Sequence, residues 1–305
     1  MEKQRKIIKE NAEVISQEEI ATDIFSMWME TEVAKEARAG QFISLFTGEG
    51  SKLLPRPISI CELDVSAGLI RIVYRVTGED TGTKFFSQLK KGDFIEVMGP
   101  LGNGFCVEDS FGKKVLLVGG GIGIPPMLQL GKEFVKADVV LIMGYADEIF
   151  LTDELKEAGR LVMSYEGTNA EGVSSAYDSS IVGDFSTGND TAVQEEISFS
   201  AERSYQAVEG NVMDAIKAYE HMNVDEKAFD VIYACGPLPM LRAVKEYAIE
   251  KGIPLYLSME EKMACGIGAC LACVCKSAKQ DGYGNVKRKR ICKDGPVFFG
   301  TEVEL

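Results

Sequence analysis

The chain has 305 residues, 46% of them hydrophobic and 26% charged, and a formal net charge of −14 at pH 7. Its length accommodates two or three domains. The acidity speaks against nucleic acid or an anionic membrane surface as the main partner. No apolar run approaches the ~18 residues of a membrane-spanning helix, and the opening MEKQRKIIKENAEV lacks the apolar segment of a secretory signal. A cytoplasmic protein is therefore expected. His221 is the only histidine. A Rieske centre, which needs two histidines on one iron, is excluded, as are the common zinc hydrolase sites. A Ser-His-Asp triad would have only His221 to use, and no GxSxG turn is present. No acid–base catalytic residue is assigned.

In chain order, the first 110 or so residues read as short β segments: Ile24–Glu30, Gln41–Thr47, Arg56–Glu62, Leu69–Val76 and Asp93–Met98. They are rich in β-branched and aromatic residues and punctuated by Gly and Pro, a spacing that suggests a closed antiparallel barrel. One helical stretch fits Gly82–Leu89. Within this region Arg56-Pro57-Ile58-Ser59 leaves a loop and enters a strand. Arginine can clamp a pyrophosphate, and a serine hydroxyl can hydrogen-bond a flavin ring. Tyr74-Arg75 and Gly82-Thr83 belong to the same constellation.

At Lys113 the pattern changes to strands alternating with helices, the signature of a parallel α/β sheet. The strand Val115–Val118 runs into Gly119-Gly120-Gly121-Ile122-Gly123-Ile124-Pro125-Pro126 and then a helix to about Val135. Exposed backbone N–H groups there suit a pyrophosphate, with Gly120, Gly121, Gly123 and Pro125 as its cradle. The usual dinucleotide fingerprint is not met, because proline occupies its third glycine position. The next strand, Val139–Met143, leads to Asp147 and Glu148, and acids after a second strand favour a free ribose hydroxyl and hence NAD(H) over NADP(H). They equally suit a solvated loop. Val231–Ala234 ends in Cys235-Gly236-Pro237, and a helix with Met240 in its first turn follows. A nicotinamide would lie at that edge; Cys235 could instead be a small residue for close packing. Residues 167–209, rich in Ser, Asp, Glu, Gly and Thr, read as a surface insertion.

Cys265-x4-Cys270-x2-Cys273, then Cys292 after 18 further residues, has the plant-type [2Fe–2S] spacing. Gly266 and Gly268 allow a tight loop whose N–H groups approach the sulfides. Zinc or plain thiols are the alternatives; zinc usually takes two CxxC pairs, and only one pair here has that spacing. Cys275 is read as a non-ligand, and Cys61 and Cys106 as small buried hydrophobes. Lys287-Arg288-Lys289-Arg290 is either a docking surface or a solvated hairpin tip.

The order of RPIS, GGGIGIPP, CGP and CGIGAC-LAC resembles the ferredoxin reductase superfamily. Met263–Cys273 and the ending Cys292-Lys293-Asp294-Gly295-Pro296-Val297-Phe298 are most similar to the electron-transfer subunits of class 1B dihydroorotate dehydrogenases. The resemblance implies three parts: an FAD-binding β-barrel (1–111), an NAD-binding α/β domain (112–257) and a small [2Fe–2S] module (258–305). It implies FAD held by Arg56 to Ser59, Val73 to Arg75, Gly82 and Thr83, and a cluster held by Cys265, Cys270, Cys273 and Cys292. It also implies an FMN-containing catalytic subunit as partner, in a heterotetramer with two copies of each. The corresponding subunit of an NADH-dependent ferredoxin:NADP oxidoreductase or a sulfide dehydrogenase is the alternative. In bifurcating versions an aspartate is expected among the cluster ligands, whereas all four candidates here are cysteines.

Overall fold

A computed structural model describes residues 6–165, 205–280 and 286–305. The first part is a closed six-stranded antiparallel barrel: β1 (Ile8–Ala21), β2 (Ile24–Glu30), β3 (Phe42–Phe46), β4 (Arg56–Asp64), β5 (Leu69–Arg75) and β6 (Phe94–Leu101), in the order β1-β2-β5-β4-β3-β6. Its interior follows the period of two that a pleated strand imposes. Ala12 and Val14, Met27 and Met29, Ile43 and Leu45, Ile70 and Ile72, and Ile95 and Val97 alternate inward and are fully or almost fully buried. The intervening residues therefore face outward, which places Phe42 and Ser44 on the outer surface of β3. The helix α1 (Gly82–Phe86) follows β5 and is capped by the Thr81 hydroxyl, which accepts from Lys84 N at 3.2 Å.

The second part is a seven-stranded sheet. Its parallel strands are β7 (Lys114–Gly120), β8 (Asp138–Tyr145), β9 (Arg160–Tyr165), β10 (Tyr205–Glu209), β11 (Val231–Cys235) and β12 (Leu255–Ser258), in the order β10-β9-β8-β7-β11-β12. The helices α2 (Pro125–Glu133), α3 (Thr152–Ala158), α4 (Val212–Met222) and α5 (Leu238–Lys251) complete it. From β7 the chain winds outward through β8, β9 and β10, then returns to β11 on the other side of β7. That reversal is a topological switch point, and ligands bind outside the strand C-termini there. The Gly-rich turn and the Cys-Gly-Pro turn meet at this point, with Cys235 in register beside Gly119.

The segment expected as an insertion lies mostly outside the described residues. Its last five, Tyr205–Glu209, form the edge strand β10. After β12 the chain crosses the cysteine-rich loop and forms the hairpin β13 (Val274–Gln280) and β14 (Val286–Arg290). The short helix α6 (Ile291–Asp294) then leads into β15 (Val297–Phe299), which adds antiparallel to β12. The last part thus begins and ends on the same edge of the sheet. Asn103, just past the barrel, ties this end down. Its amide donates to the carbonyls of Asp294 (3.3 Å) and Val297 (2.9 Å) and its oxygen accepts from Val297 N (3.1 Å).

Candidate functional site

A cavity of about 590 Å³ lies against the barrel's outer face. Pro57, Ile58, Ser59, Val73, Tyr74, Arg75 and Thr83 all line it. Register explains part of the convergence: Phe42, which also lines the cavity, sits opposite Ser59 across β3 and β4. Tyr74 is fixed by its hydroxyl, which donates to Gln17 Oε1 at 2.9 Å, and by a stacked ring contact with Phe25. Burial pushes its phenol upward, so it stays neutral. Arg56 and Gly82 stand just behind the lining. A Cβ on Gly82 would come 3.1 Å from the Arg56 side chain, so glycine there lets the guanidinium lie across the first turn of α1.

A second cavity of about 510 Å³ opens at the C-terminal edge of the sheet and receives Gly120, Gly121, Pro237 and Met240. A Cβ on Gly120 would meet the Met240 sulfur at 2.5 Å, and Gly121 has φ +53°, the left-handed region in which glycine carries no side-chain penalty. The two cavities share one turn: Gly120 and Gly121 line the second, and Ile122 lines the first. A ligand as long as a dinucleotide can therefore run from one to the other.

Other expected residues take different places. Gly123 and Gly236 are packing positions: a Cβ on Gly123 would collide with the Cys235 carbonyl, and one on Gly236 would crowd Met240 and Gly120. Pro125 opens α2 and is buried. Asp147 does not line the second cavity. It pairs with Arg75 at 3.7 Å, while Glu148 accepts from the Thr22 backbone N–H at 2.7 Å. The acidic pair after β8 fastens the sheet to the barrel, because that strand ends beside the β5 rim. Polar groups that the sequence did not single out line the second cavity in its place, among them Ser164, Asp214 and Lys217. The Ser164 hydroxyl is fully buried and has no hydrogen-bond partner among the described residues, which leaves it able to bond a ligand in the cavity it lines.

Cys235 is fully buried, and burial pushes its thiol upward. It interacts with Ser258 and Glu260, both of which line the first cavity. Glu260 is reachable by water through the cavity, yet the protein around it desolvates its carboxyl and holds it above the usual carboxylate range. The signal for it was present as an acidic pair directly after a strand end. Of the two remaining cysteines expected in apolar cores, Cys61 is fully buried. Cys106 is only half-buried, and its thiol donates to Glu108 Oε2 at 3.5 Å, because the turn around it lies at the surface.

The four cysteines expected to hold a cluster come together as two pairs. Cys265 and Cys270 interact thiol to thiol, and so do Cys273 and Cys292, whose N–H also donates to Cys273 Sγ at 3.4 Å. Among the described residues no three ligand-type groups converge on one ion. Two pairs side by side match a rhomb of two irons, each taking two thiolates. The loop is pre-shaped for anionic sulfur. Gly266 (φ +69°), Gly268 (φ +82°) and Leu271 (φ +59°) are left-handed, and Ala269 N and Cys270 N donate to Cys265 Sγ at 3.3 and 3.4 Å. Burial alone would push the Cys265 thiol up; donation from the backbone of Ile267, Cys270 and Ala269 and from the Cys270 thiol outweighs it and brings it down to about 6. Burial and the neighbouring Cys273 push Cys292 up to about 12. Cys275 lies in β13 opposite Lys289, half-buried. In the basic run, Lys289 pairs with Glu302 and Arg290 with Asp294, each at 3.1 Å, while Lys287 and Arg288 are exposed. Among the described residues no helix is long and apolar enough to cross a membrane.

Comparison with known proteins agrees with this arrangement. Residues 11–105 match an oxidoreductase FAD-binding domain, and residues 260–304 match the iron-sulfur cluster binding domain of dihydroorotate dehydrogenase B. A dihydroorotate dehydrogenase B (NAD(+)) electron transfer subunit from Fusobacterium nucleatum is 39% identical, with 94% of this chain and 95% of that one covered. One of the same description from Caldanaerobacter subterraneus is 36% identical, with 97% and 98% covered. A structure of an NADH-dependent reduced ferredoxin-NADP oxidoreductase, described for flavin-based electron bifurcation, superposes with a TM-score of 0.70 at 25% identity, covering 96% of this chain and 89% of that one. With a flavin-type barrel, a switch-point sheet and two thiol pairs on one chain, and relatives matched over nearly its whole length, the chain belongs to the family of dihydroorotate dehydrogenase B electron transfer subunits.

Proposed function

We propose that this chain is the NAD-facing half of a two-protein oxidoreductase of pyrimidine (UMP) biosynthesis. Its partner is an FMN-containing dihydroorotate dehydrogenase catalytic subunit, two copies of each forming a cytoplasmic heterotetramer. Dihydroorotate loses two electrons and two protons to become orotate in the partner; here NAD⁺ gains the hydride equivalent and one proton is released. Bound FAD exchanges electrons in pairs with nicotinamide and singly with a [2Fe–2S] centre, which the protein alone cannot do.

The chain's own residues bind, orient and exclude water. Arg56, with Gly82 and Thr83 at the first turn of α1, holds the FAD phosphates, and Pro57 to Ser59 and Val73 to Arg75 form the wall behind the ring. Gly120 and Gly121 leave room for the NAD(H) pyrophosphate, and Pro237 and Met240 close over it. Ser258 and Glu260, backed by the buried Cys235, form the floor where nicotinamide approaches the flavin wall. Cys265 with Cys270 and Cys273 with Cys292 hold the two irons. The division at residues 111/112 and 257/258 follows these three tasks.

The observation that carries this reading is one stretch of chain. Met259 to Met263 line the flavin cavity, and Cys265 follows two residues later. One loop thus supplies part of the wall of the first cavity and the first of the four cysteines, which supports a short path for one-electron traffic between the two sites. Co-expression with an FMN-containing dihydroorotate dehydrogenase tests it. NADH should form from dihydroorotate and NAD⁺ only when both proteins are present. Dye-linked NADH oxidation by the chain alone, with no NADH formation alongside that partner, would remove the pyrimidine assignment. The structural likeness to the ferredoxin-NADP oxidoreductase would then make a ferredoxin-linked role the leading reading.

A further inference from the structure

Strand β3 alternates cleanly. Ile43 and Leu45 fill the barrel, while Phe42 and Ser44 point out of it. Phe42 lines the flavin cavity. Two residues along, Ser44 is 1% exposed, and its hydroxyl has no hydrogen-bond partner among the described residues. Its cross-strand neighbours are Pro57, which lines the flavin cavity, and Met98. What covers Ser44 is the cluster loop. A Cβ built on Gly266 would lie 3.1 Å from Ser44 Oγ and 3.2 Å from Leu101 Cδ1, so glycine at 266 lets the loop settle directly onto the hydroxyl. Gly266 adjoins Cys265, whose sulfur already accepts from two backbone N–H groups.

A serine in an otherwise apolar contact surface (Leu101, Met98, Pro57) loses its hydration on folding and gains nothing in return unless something accepts from it. Sulfur in an iron–sulfur centre is such an acceptor, and hydrogen bonds to it are among the levers that set the centre's potential. A donor stabilises the more negative, reduced form and so raises the potential. We propose that Ser44, on the FAD-binding barrel, donates its hydroxyl hydrogen bond to sulfur of the cluster held by the Cys265 loop, and that it sets the cluster's reduction potential from outside the cluster module. This rests on the assignment of Cys265, Cys270, Cys273 and Cys292 as cluster ligands. Ser44 is a tuning residue and not a catalytic one.

The test is Ser44→Ala in the purified holoprotein, with cluster and FAD midpoints both followed by potentiometric titration. The expected result is full cluster occupancy with the cluster's reduction equilibrium constant lowered about tenfold, about 59 mV for a one-electron couple, and the FAD midpoint unmoved. An exchangeable proton coupled to the reduced cluster's spin should be present in the wild type and lost in the variant, seen by electron–nuclear double resonance after transfer to D₂O. A wild-type cluster signal with an unchanged midpoint in Ser44→Ala overturns the proposal alone. A shifted FAD midpoint with an unmoved cluster overturns it in favour of a flavin contact. A wild type with no [2Fe–2S] signal overturns the ligand assignment and this proposal with it.

Discussion

Gly120 shows how one missing side chain makes a site. Its Cβ would strike the Met240 sulfur, so Gly120→Val fills the mouth of the second cavity while leaving the barrel untouched. The expected outcome is a KM for NADH raised about tenfold or more, about 1.4 kcal/mol of lost binding per decade, with FAD content unchanged. Steady-state kinetics and flavin absorbance check it. Cys292→Ser leaves Cys273 without its pair, and iron analysis and visible absorbance should show loss of the cluster with FAD retained. The Gly-rich turn and the cysteine loop of the two candidate sites were legible as patterns, because glycine turns and cysteine spacings are local properties of a sequence. Asp147 was not. Its acidity is local, but its direction depends on Arg75, some seventy residues away, which draws it to the barrel. Ser164, Ser258 and Glu260 escaped for the same reason: a lone serine or glutamate gains meaning only when a fold aims it into a cavity.

Elements with a strong period were read nearly to the residue, as β2 and β5 show. The long strand β1 was not, since its inward positions are Ala12 and Val14 amid charged neighbours, and its composition looks like a solvated segment. Strand β10 escaped because it follows a polar stretch and is supported on one side only, by β9. At the opposite end of the sheet from the cavities, β7, β9 and α4 are joined by Glu226. Its carboxylate accepts from Lys114 Nζ (2.6 Å), Arg160 Nη1 (2.8 Å) and the Tyr219 hydroxyl (2.9 Å). Donation from Arg160 and Lys114 lowers the Glu226 carboxyl to about 2 from an ordinary 4.5. A carboxyl lowered on folding stabilises the native state fully above its unfolded value and loses that contribution as pH falls toward the folded one. Stability should therefore fall between pH 4.5 and about 2. Glu226→Gln should be less stable at pH 7 and show a shallower loss across that window in acid unfolding followed by circular dichroism. Partial exposure of the carboxyl keeps the effect small.

At the scale of the molecule, barrel and sheet are held by a buried cation. Arg71 of β5 reaches Glu154 of α3 at 3.1 Å and Glu62 of β4 at 3.4 Å, with its Nε donating to Ser26 Oγ at 2.9 Å; Lys132 of α2 also meets Glu62 at 2.6 Å. Removing one partner of a buried network strands the others. Arg71→Met should cost about 2 kcal/mol in urea unfolding, below the ~3–5 kcal/mol of a fully buried pair, because Lys132 still faces Glu62. The loss should come with a less cooperative transition as the two parts uncouple. The order of barrel, α/β sheet and cluster module was legible, since each has its own compositional signature. How they lock together was not: Arg71, Glu154 and Asn103 are ordinary residues until two folds meet.

The loop from Met259 to Cys265 acts as a fixed leash. One residue, Ala264, separates the last cavity-lining side chain from Cys265, a reach of at most about 7 Å of extended chain between the two Cα atoms. The loop therefore ties Cys265 to one wall of the cavity and limits how far the two sites can separate if the parts swing. Inter-centre transfer should be indifferent to solvent viscosity. An insertion in this stretch would slow the protein without unfolding it, whereas sequence drift elsewhere in the module is free of that constraint.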